Sequence, residues 1–150
     1  MNLDNKFEIS KMTNEDLENI KDILTTEFDD FWNYNILKQE LSNENSCYFV
    51  AKNFEDTVVG FAGVLFILDE ANVMNIVTKK DFRHQGVGSL LLKSLLLACK
   101  EKNMSSITLE VNENNSSALA LYNKFGFVNV GVRKNYYNDV DNAVIMTLEL

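Results

Sequence analysis

At 150 residues, the chain is long enough for one ordinary core, burying roughly 70% of the surface its unfolded form exposes. With 46% hydrophobic and 24% charged residues, and no run of about 18 apolar ones, it reads as globular, neither disordered nor membrane-spanning. Its formal net charge of −8 repels phosphate backbones and attracts cations, so nucleic acid is not expected as partner, nor, without a spanning run, is a membrane.

Met1-Asn2-Leu3-Asp4-Asn5-Lys6 carries no basic stretch leading into an apolar run, so no secretory signal is expected and a cytoplasmic location is. The two cysteines, Cys47 and Cys99, and the single histidine, His84, cannot assemble a four-ligand zinc site, so no metal is expected. Cys99 lies in an apolar helical run, where an inert buried thiol is the simpler reading. With no repeat, low-complexity tract or linker, and no proline at all, residues 1–150 read as a single domain, a monomer or weak dimer.

In chain order, Phe7-Glu8-Ile9 alternates as a short strand. Thr13 and Asp16 form a helix N-cap pair ahead of Leu17, Ile20, Ile23 and Leu24, which predicts a helix over 14–27. Trp32, Ile36, Leu37 and Leu41 place a second short helix over 31–41. From Cys47 the texture turns to β: a strand through Tyr48 to Ala51, a polar turn at 53–56, and a Val- and Phe-rich strand over 57–68 predict a hairpin. A strand over 71–77 leads through a glycine-containing loop to a helix over 88–102. There Leu90, Leu91, Leu95, Ala98 and Cys99 are expected in the core, while Ser89, Lys93 and Lys100 form a polar stripe interrupted by Leu96. A strand at 106–111, a helix at 116–125 closed by Gly126, and strands at 127–132 and 143–148 complete the chain. The order βααβββαβαββ predicts an α/β fold of the α+β kind: a mixed, mostly antiparallel twisted sheet flanked by helices, with a strand-helix-strand crossover in its middle.

Three features carry chemistry. Arg83-His84-Gln85-Gly86-Val87-Gly88 precedes an amphipathic helix, where glycine lets backbone N–H groups approach a diphosphate and the helix end adds positive potential. Such a turn can equally just connect strand and helix. It lacks the Gly-Lys-Ser/Thr ending of a Walker loop, and Leu91 stands where a dinucleotide fingerprint needs glycine. Glu110, in Leu109-Glu110-Val111-Asn112, ends an otherwise apolar strand and faces solvent or a cleft according to register. Tyr122 lies on the stripe Ala118, Leu121, Tyr122, Phe125, where a core aromatic with its hydroxyl at the rim is the ordinary reading.

Taken together, the chain resembles the ribosomal-protein alanine N-acetyltransferase branch of the GNAT superfamily over nearly its whole length. The likeness runs through Trp32, Leu37-x-x-Glu40-Leu41, Tyr48-x-Val50-Ala51, Val59-Gly60-Phe61-Ala62-Gly63, Asp69-Glu70-Ala71, Asn75-Ile76, Arg83-x-x-Gly86-x-Gly88, Leu109-Glu110-Val111 and Asn115. It continues through Ala118-Leu119-x-Leu121-Tyr122-x-Lys124-x-Gly126-Phe127 and Gly131-x-Arg133-Lys134-Asn135-Tyr136-Tyr137, the two most specific segments.

The resemblance implies the GNAT fold, acetyl-CoA as cofactor, and direct transfer of an acetyl group to the N-terminal amine of a protein, of the ribosomal protein S18 type with N-terminal Ala. On matching positions it implies that Arg83, His84 and the backbone of Gln85, Gly86, Val87, Gly88 and Ser89 hold the coenzyme A pyrophosphate. Asn75, Ile76 and Val77 splay from the neighbouring strand to pair with the pantetheine arm, and Asn115 and Tyr122 also touch the coenzyme. Glu110 matches the general base and Tyr122 the general acid. Trp32, Glu110, Asn112, Tyr136 and Tyr137 are the implied acceptor contacts, although Tyr136 and Tyr137 read equally as aromatic packing of a strand turn. His84, being in the pyrophosphate loop, is not expected to act as a base.

The sequence departs from the family pattern at four places. Asn112 stands for Arg, Val77-Thr78 for Ala-Val, Phe31-Trp32-Asn33 for Pro-Trp-Ser, and Asp141-Asn142-Ala143-Val144 for Glu-Asp-Ala-Ile. Asn112 and the 138–142 loop are expected near the acceptor, so the departures bear on substrate choice more than on coenzyme binding. Two other readings stand beside the first: a GNAT enzyme for a small amine such as a polyamine or amino sugar, and a catalytically silent acyl-CoA sensor.

Overall fold

The computed structural model describes residues 6–28, 33–137 and 140–150. Along the chain, β1 (Phe7–Lys11), α1 (Asn14–Ile20), a 3-10 turn (Lys21–Ile23), α2 (Leu24–Glu27) and α3 (Tyr34–Leu41) precede the strands β2 (Ser46–Asn53), β3 (Val58–Ile67) and β4 (Glu70–Thr78). A 3-10 turn (Lys80–Phe82), α4 (Val87–Glu101), β5 (Ser106–Asn112), α5 (Ser116–Lys124), β6 (Val128–Tyr137) and β7 (Asp141–Glu149) follow. The strands belong to one seven-stranded sheet in the order β1-β2-β3-β4-β5-β7-β6. Pairing is antiparallel for β1–β2, β2–β3, β5–β7 and β6–β7 and parallel for β4–β5, the two strands joined through α4. This is the mixed α/β sheet with a central crossover expected above. Packing contacts divide the chain into two units, residues 1–65 with 74–98, and residues 66–73 with 99–150.

In the first unit the start of α1 is set by a capping box. Thr13 N–H donates to Asp16 Oδ2 over 2.9 Å, and Asp16 N–H donates to Thr13 Oγ1 over 3.1 Å, so two of the end's orphan donors are satisfied locally. The helix expected over 14–27 is not continuous. Ile20 (φ −109°, ψ 1°) and Ile23 (φ −114°, ψ 3°) leave α geometry and a 3-10 turn separates α1 from α2. Leu17, Ile20 and Leu24 still reach one core with Phe28, Leu37, Val50 and Phe61, because i, i+3 spacing places side chains on one side of either helix type.

Leu91, Leu92, Leu95 and Ala98 of α4 are buried, whereas Leu90 is only half-buried. The leucine exposed on α4 is Leu97, at 61%, and not Leu96, which is half-buried. Seven apolar residues lie among the nine of 90–98, so pattern alone did not fix the phase of the helix.

The second unit's core includes Ala71, Ile107, Leu109, Val111, Phe127, Val144 and Met146. Burial alternates along β5, with 107, 109 and 111 inside and 108, 110 and 112 half-buried, as expected for a strand with one covered face. Helix α5 ends as expected at Gly126 (φ +96°). Phe127 N–H donates to Tyr122 C=O and Gly126 N–H to Asn123 C=O, both over 3.0 Å, the paired bonds of a Schellman cap. The final hairpin is longer than predicted, reaching Tyr137 opposite Asp141, with irregularities at Asn129/Gly131 and Arg133/Tyr137.

Candidate active site

The elements expected to hold the pyrophosphate and the pantetheine arm lie in the first unit. Arg83, His84, Gln85 and Gly86 are exposed, Val87 is buried, and Gly88 and Ser89 are half-buried in the first turn of α4. Two consecutive bends build the loop: His84 has φ +63° and Gly86 φ +85°. A Cβ on Gly86 would meet nothing within 4 Å, so glycine is needed there for its backbone angle, and open space lies above it. Leu90 N–H donates to Gly86 C=O over 3.1 Å, closing the first helical turn, and the N–H groups of the helix before it have no carbonyl within the helix to bond. A loop of this form, at the end of a 15-residue helix, fits a diphosphate through backbone donors and dipole.

Gly60 determines how closely this turn approaches the sheet. A Cβ there would stand 2.8 Å from Val87 Cγ1 and 3.0 Å from the Val77 carbonyl oxygen, so its absence lets α4 and β4 close on β3. Gly63 does the same for an aromatic ring, since its Cβ would lie 2.2 Å from Tyr48 ring atoms. Tyr48 in turn donates its hydroxyl to Asn75 Oδ1 over 2.9 Å, both residues buried. The β4–β5 ladder covers Glu70–Asn72 against Ser106–Thr108, and Asn75, Ile76 and Val77 lie beyond that stretch.

Glu110 and Tyr122 lie in the second unit. Glu110 stands opposite Ile145 of β7, on the half-buried face with Thr108 and Asn112, which settles its register; its side chain is 28% exposed. It accepts from Arg133 Nη2 over 2.7 Å, a charge-assisted bond. Tyr122 is buried, its ring centroid 5.8 Å from that of Phe127. Burial first, and the neighbouring Tyr137 second, push its phenol up to about 12, because a buried phenolate lacks water to stabilise it. The Tyr137 phenol is raised too, by burial and then by the charges of Glu110 and Tyr136. Glu110, Tyr122 and Tyr137 therefore share one electrostatic neighbourhood, with Tyr136 edge-on to Tyr137 at 4.9 Å between centroids.

Asn112 is bonded within the protein through both its amide oxygen and its amide nitrogen. Its Oδ1 accepts from Asn114 N–H over 2.9 Å and its Nδ2 donates to Asp141 Oδ2 over 3.2 Å. Asn114 Nδ2 reaches Asp141 Oδ1 over 3.1 Å, and Asn142 Nδ2 donates to Glu113 Oε2 over 3.2 Å. These bonds tie the end of β5 to the β6–β7 turn. Asn115 caps α5, its Oδ1 accepting from Ala118 N–H over 3.1 Å. Trp32 lies outside the described residues, as do 138 and 139 of the 138–142 loop. Among the described residues no group of three or more His, Cys, Asp or Glu is placed to hold a metal, and no helix is long and apolar enough to cross a membrane. Arg133 and Asp141 received no individual role from sequence, although the Gly131-to-Tyr137 run contained the first.

Residues 11–127 match the model of the family described as Acetyltransferase (GNAT). The chain belongs to that family. This GNAT protein is 38% identical over 124 residues to the ribosomal protein bS18-alanine N-acetyltransferase of Haemophilus influenzae, covering 79% of this chain and 82% of that one. The crystal structure of the ribosomal-protein-S18-alanine N-acetyltransferase from Escherichia coli matches with TM-score 0.85 and 28% identity, covering 95% of this chain and 93% of that one. The structure of Ard1 from Thermoplasma volcanium matches with TM-score 0.83 and 31% identity, over 97% and 98% of the two chains. The GNAT protein is an acetyl-CoA-dependent N-acetyltransferase.

Proposed function

We propose that this enzyme, acting as one domain in the cytoplasm, acetylates the N-terminal α-amine of a protein, with an N-terminal Ala of the ribosomal S18 type as acceptor. The observation that carries the reading is the 38% identity to a bS18-alanine N-acetyltransferase along most of both chains. Acetyl-CoA supplies the activated acetyl group, and its diphosphate would be held by the backbone of 85–89 with Asn75–Val77 along the pantetheine arm. Asn115 would contact it beside α5, and Trp32, Asn112, Tyr136 and Tyr137 would line the acceptor's path.

An α-amine has a reference pKa near 7.7–8.0, so at neutral pH roughly nine-tenths of it is ammonium and cannot attack. Glu110 removes that proton: it is a carboxylate on an open strand face, half-covered yet reachable by a cation,. Tyr122 supplies the hydrogen bond needed as the thiolate departs. With its phenol up at about 12 against roughly 8.5 for an ordinary thiol, full transfer from the resting phenol is uphill by about 5 kcal/mol. Tyr122 thus keeps its proton throughout the neutral range and donates as negative charge develops on sulfur. No acyl-enzyme is needed. Cys99 is buried, and neither it nor Cys47 falls on a motif position.

Rates of coenzyme A release with an Ala-initiated peptide and with a panel of polyamines and amino sugars test the assignment. The peptide is expected to have the higher kcat/KM by at least tenfold. Preference for a small amine would replace the protein acceptor, and no turnover with any amine would favour an acyl-CoA sensor.

A further inference from the structure

Arg133 sits on β6 and Glu110 on β5, with β7 between them, yet the guanidinium Nη2 lies 2.7 Å from Glu110 Oε1. The register explains the reach. Ile145 stands opposite Glu110 and Ala143 opposite Arg133, and residues two apart on β7 share a face. The arginine arm therefore crosses β7 diagonally to the carboxylate. A second contact holds it, since Arg133 Cζ lies 4.9 Å from the Tyr136 ring centroid, within cation–π range.

An arginine side chain that is 55% exposed adds little to stability through a surface ion pair, and fixing so long an arm costs rotamer entropy. Its engagement with both a carboxylate and a ring has a clearer consequence for direction than for folding. The terminal torsion of a glutamate is broad, whereas a base must come within roughly 2.6–3.2 Å of the atom whose proton it takes. Anchoring Oε1 fixes the carboxylate plane and hence the direction of Oε2, which has no hydrogen-bond partner among the described residues.

We propose that Arg133 is a positioning residue for acetyl transfer, anchoring Oε1 of Glu110 so that Oε2 takes the proton of the acceptor amine. The inference rests on the reading of Glu110 as the base. In the step, an N–H bond of the ammonium breaks, its electron pair stays on nitrogen for attack, and the proton passes to Oε2. Arg133 stays protonated throughout, and Oε1 continues to accept from it.

The test is a double-mutant cycle with an Ala-initiated peptide at saturating acetyl-CoA, comparing wild type, Arg133→Gln, Arg133→Lys, Glu110→Gln and the Arg133→Gln/Glu110→Gln pair. Arg133→Gln is expected to lower kcat by about tenfold to a hundredfold. Its unfolding temperature and calorimetric affinity for coenzyme A should stay at wild-type values, and Arg133→Lys should recover part of the rate. In the Glu110→Gln background the arginine change should cost nothing further. A slow Glu110→Gln protein on which Arg133→Gln imposes its full additional loss overturns the positioning role alone. So does an Arg133→Gln protein with raised peptide KM and unchanged kcat, which would make Arg133 an acceptor contact. A Glu110→Gln protein with wild-type kcat removes the base, and the proposal with it.

Discussion

Tyr48 and Asn75 meet through a buried hydrogen bond, 2.9 Å from phenol to amide oxygen, and the Tyr48 ring fits there because Gly63 has no side chain. Tyr48→Phe keeps the ring and removes the donor, at an expected cost of about 1–2 kcal/mol. Gly63→Ala drives a methyl into the ring and should cost about 3 kcal/mol. Combined with Tyr48→Leu, the alanine should cost under about 1 kcal/mol. Urea unfolding of the single and double variants reads this directly, and additive losses would show that the ring is not what excludes a side chain at 63.

The Asp16–Lys52 pair makes stability depend on acid. Lys52 Nζ lies 2.8 Å from the buried Asp16 Oδ1. Burial, the largest influence on Asp16, pushes its carboxyl up, but the bonds from Lys52 and Thr13 together prevail and hold it below the ordinary carboxylate value. A folded pKa below the unfolded one adds stability at pH above about 4 that is lost as pH falls through the folded value. Lys52→Met, which leaves the carboxylate without its cation, should cost about 2–3 kcal/mol at pH 7. Denaturant titrations at pH 7 and pH 3 should show that difference shrinking at the lower pH.

Gly86→Ala separates folding from ligand grip. The substitution meets no atom within 4 Å but must adopt φ +85°, a strain of about 1–2 kcal/mol. Relaxation of that strain moves the loop's donors, so calorimetric affinity for coenzyme A should fall about tenfold or more while stability falls by about 1 kcal/mol. Undiminished affinity would remove residues 85–89 from the diphosphate site.

The Tyr122 phenol should be silent in the pH profile. Its folded value of about 12 lies above the ordinary 10, so the proton stays on across the neutral and mildly alkaline range. In an ultraviolet titration, Tyr122→Phe should remove a phenolate signal that emerges only near pH 12 in the native protein. The same variant should lose about a hundredfold in kcat with little change in coenzyme affinity, and full retained turnover would end its role as hydrogen-bond donor to the leaving sulfur.

Legibility from sequence followed the range of the interaction. The Thr13–Asp16 box and the Gly126 cap span three to five residues and are readable as patterns, and so is the strand-helix-strand crossover through α4. The break at Ile20–Ile23 is not, because apolar spacing is shared by the two helix types, and the near-continuous leucines of α4 conceal that Leu97 is the outward one. Resemblance brought out Glu110 and Tyr122 as a candidate pair. The Arg133 contact depends on two ladders with β7 in register, and the Asp141 links on side chains 27 and 29 residues apart, distances over which local pattern carries no information.

The central assignment is tested most directly by mapping the product. An Ala-initiated peptide incubated with acetyl-CoA and the wild-type protein, then sequenced by mass spectrometry, should carry one acetyl group on its α-amine, with the Glu110→Gln protein at least a hundredfold slower. Acetylation only on lysine side chains, or none while small amines are consumed, would contradict it.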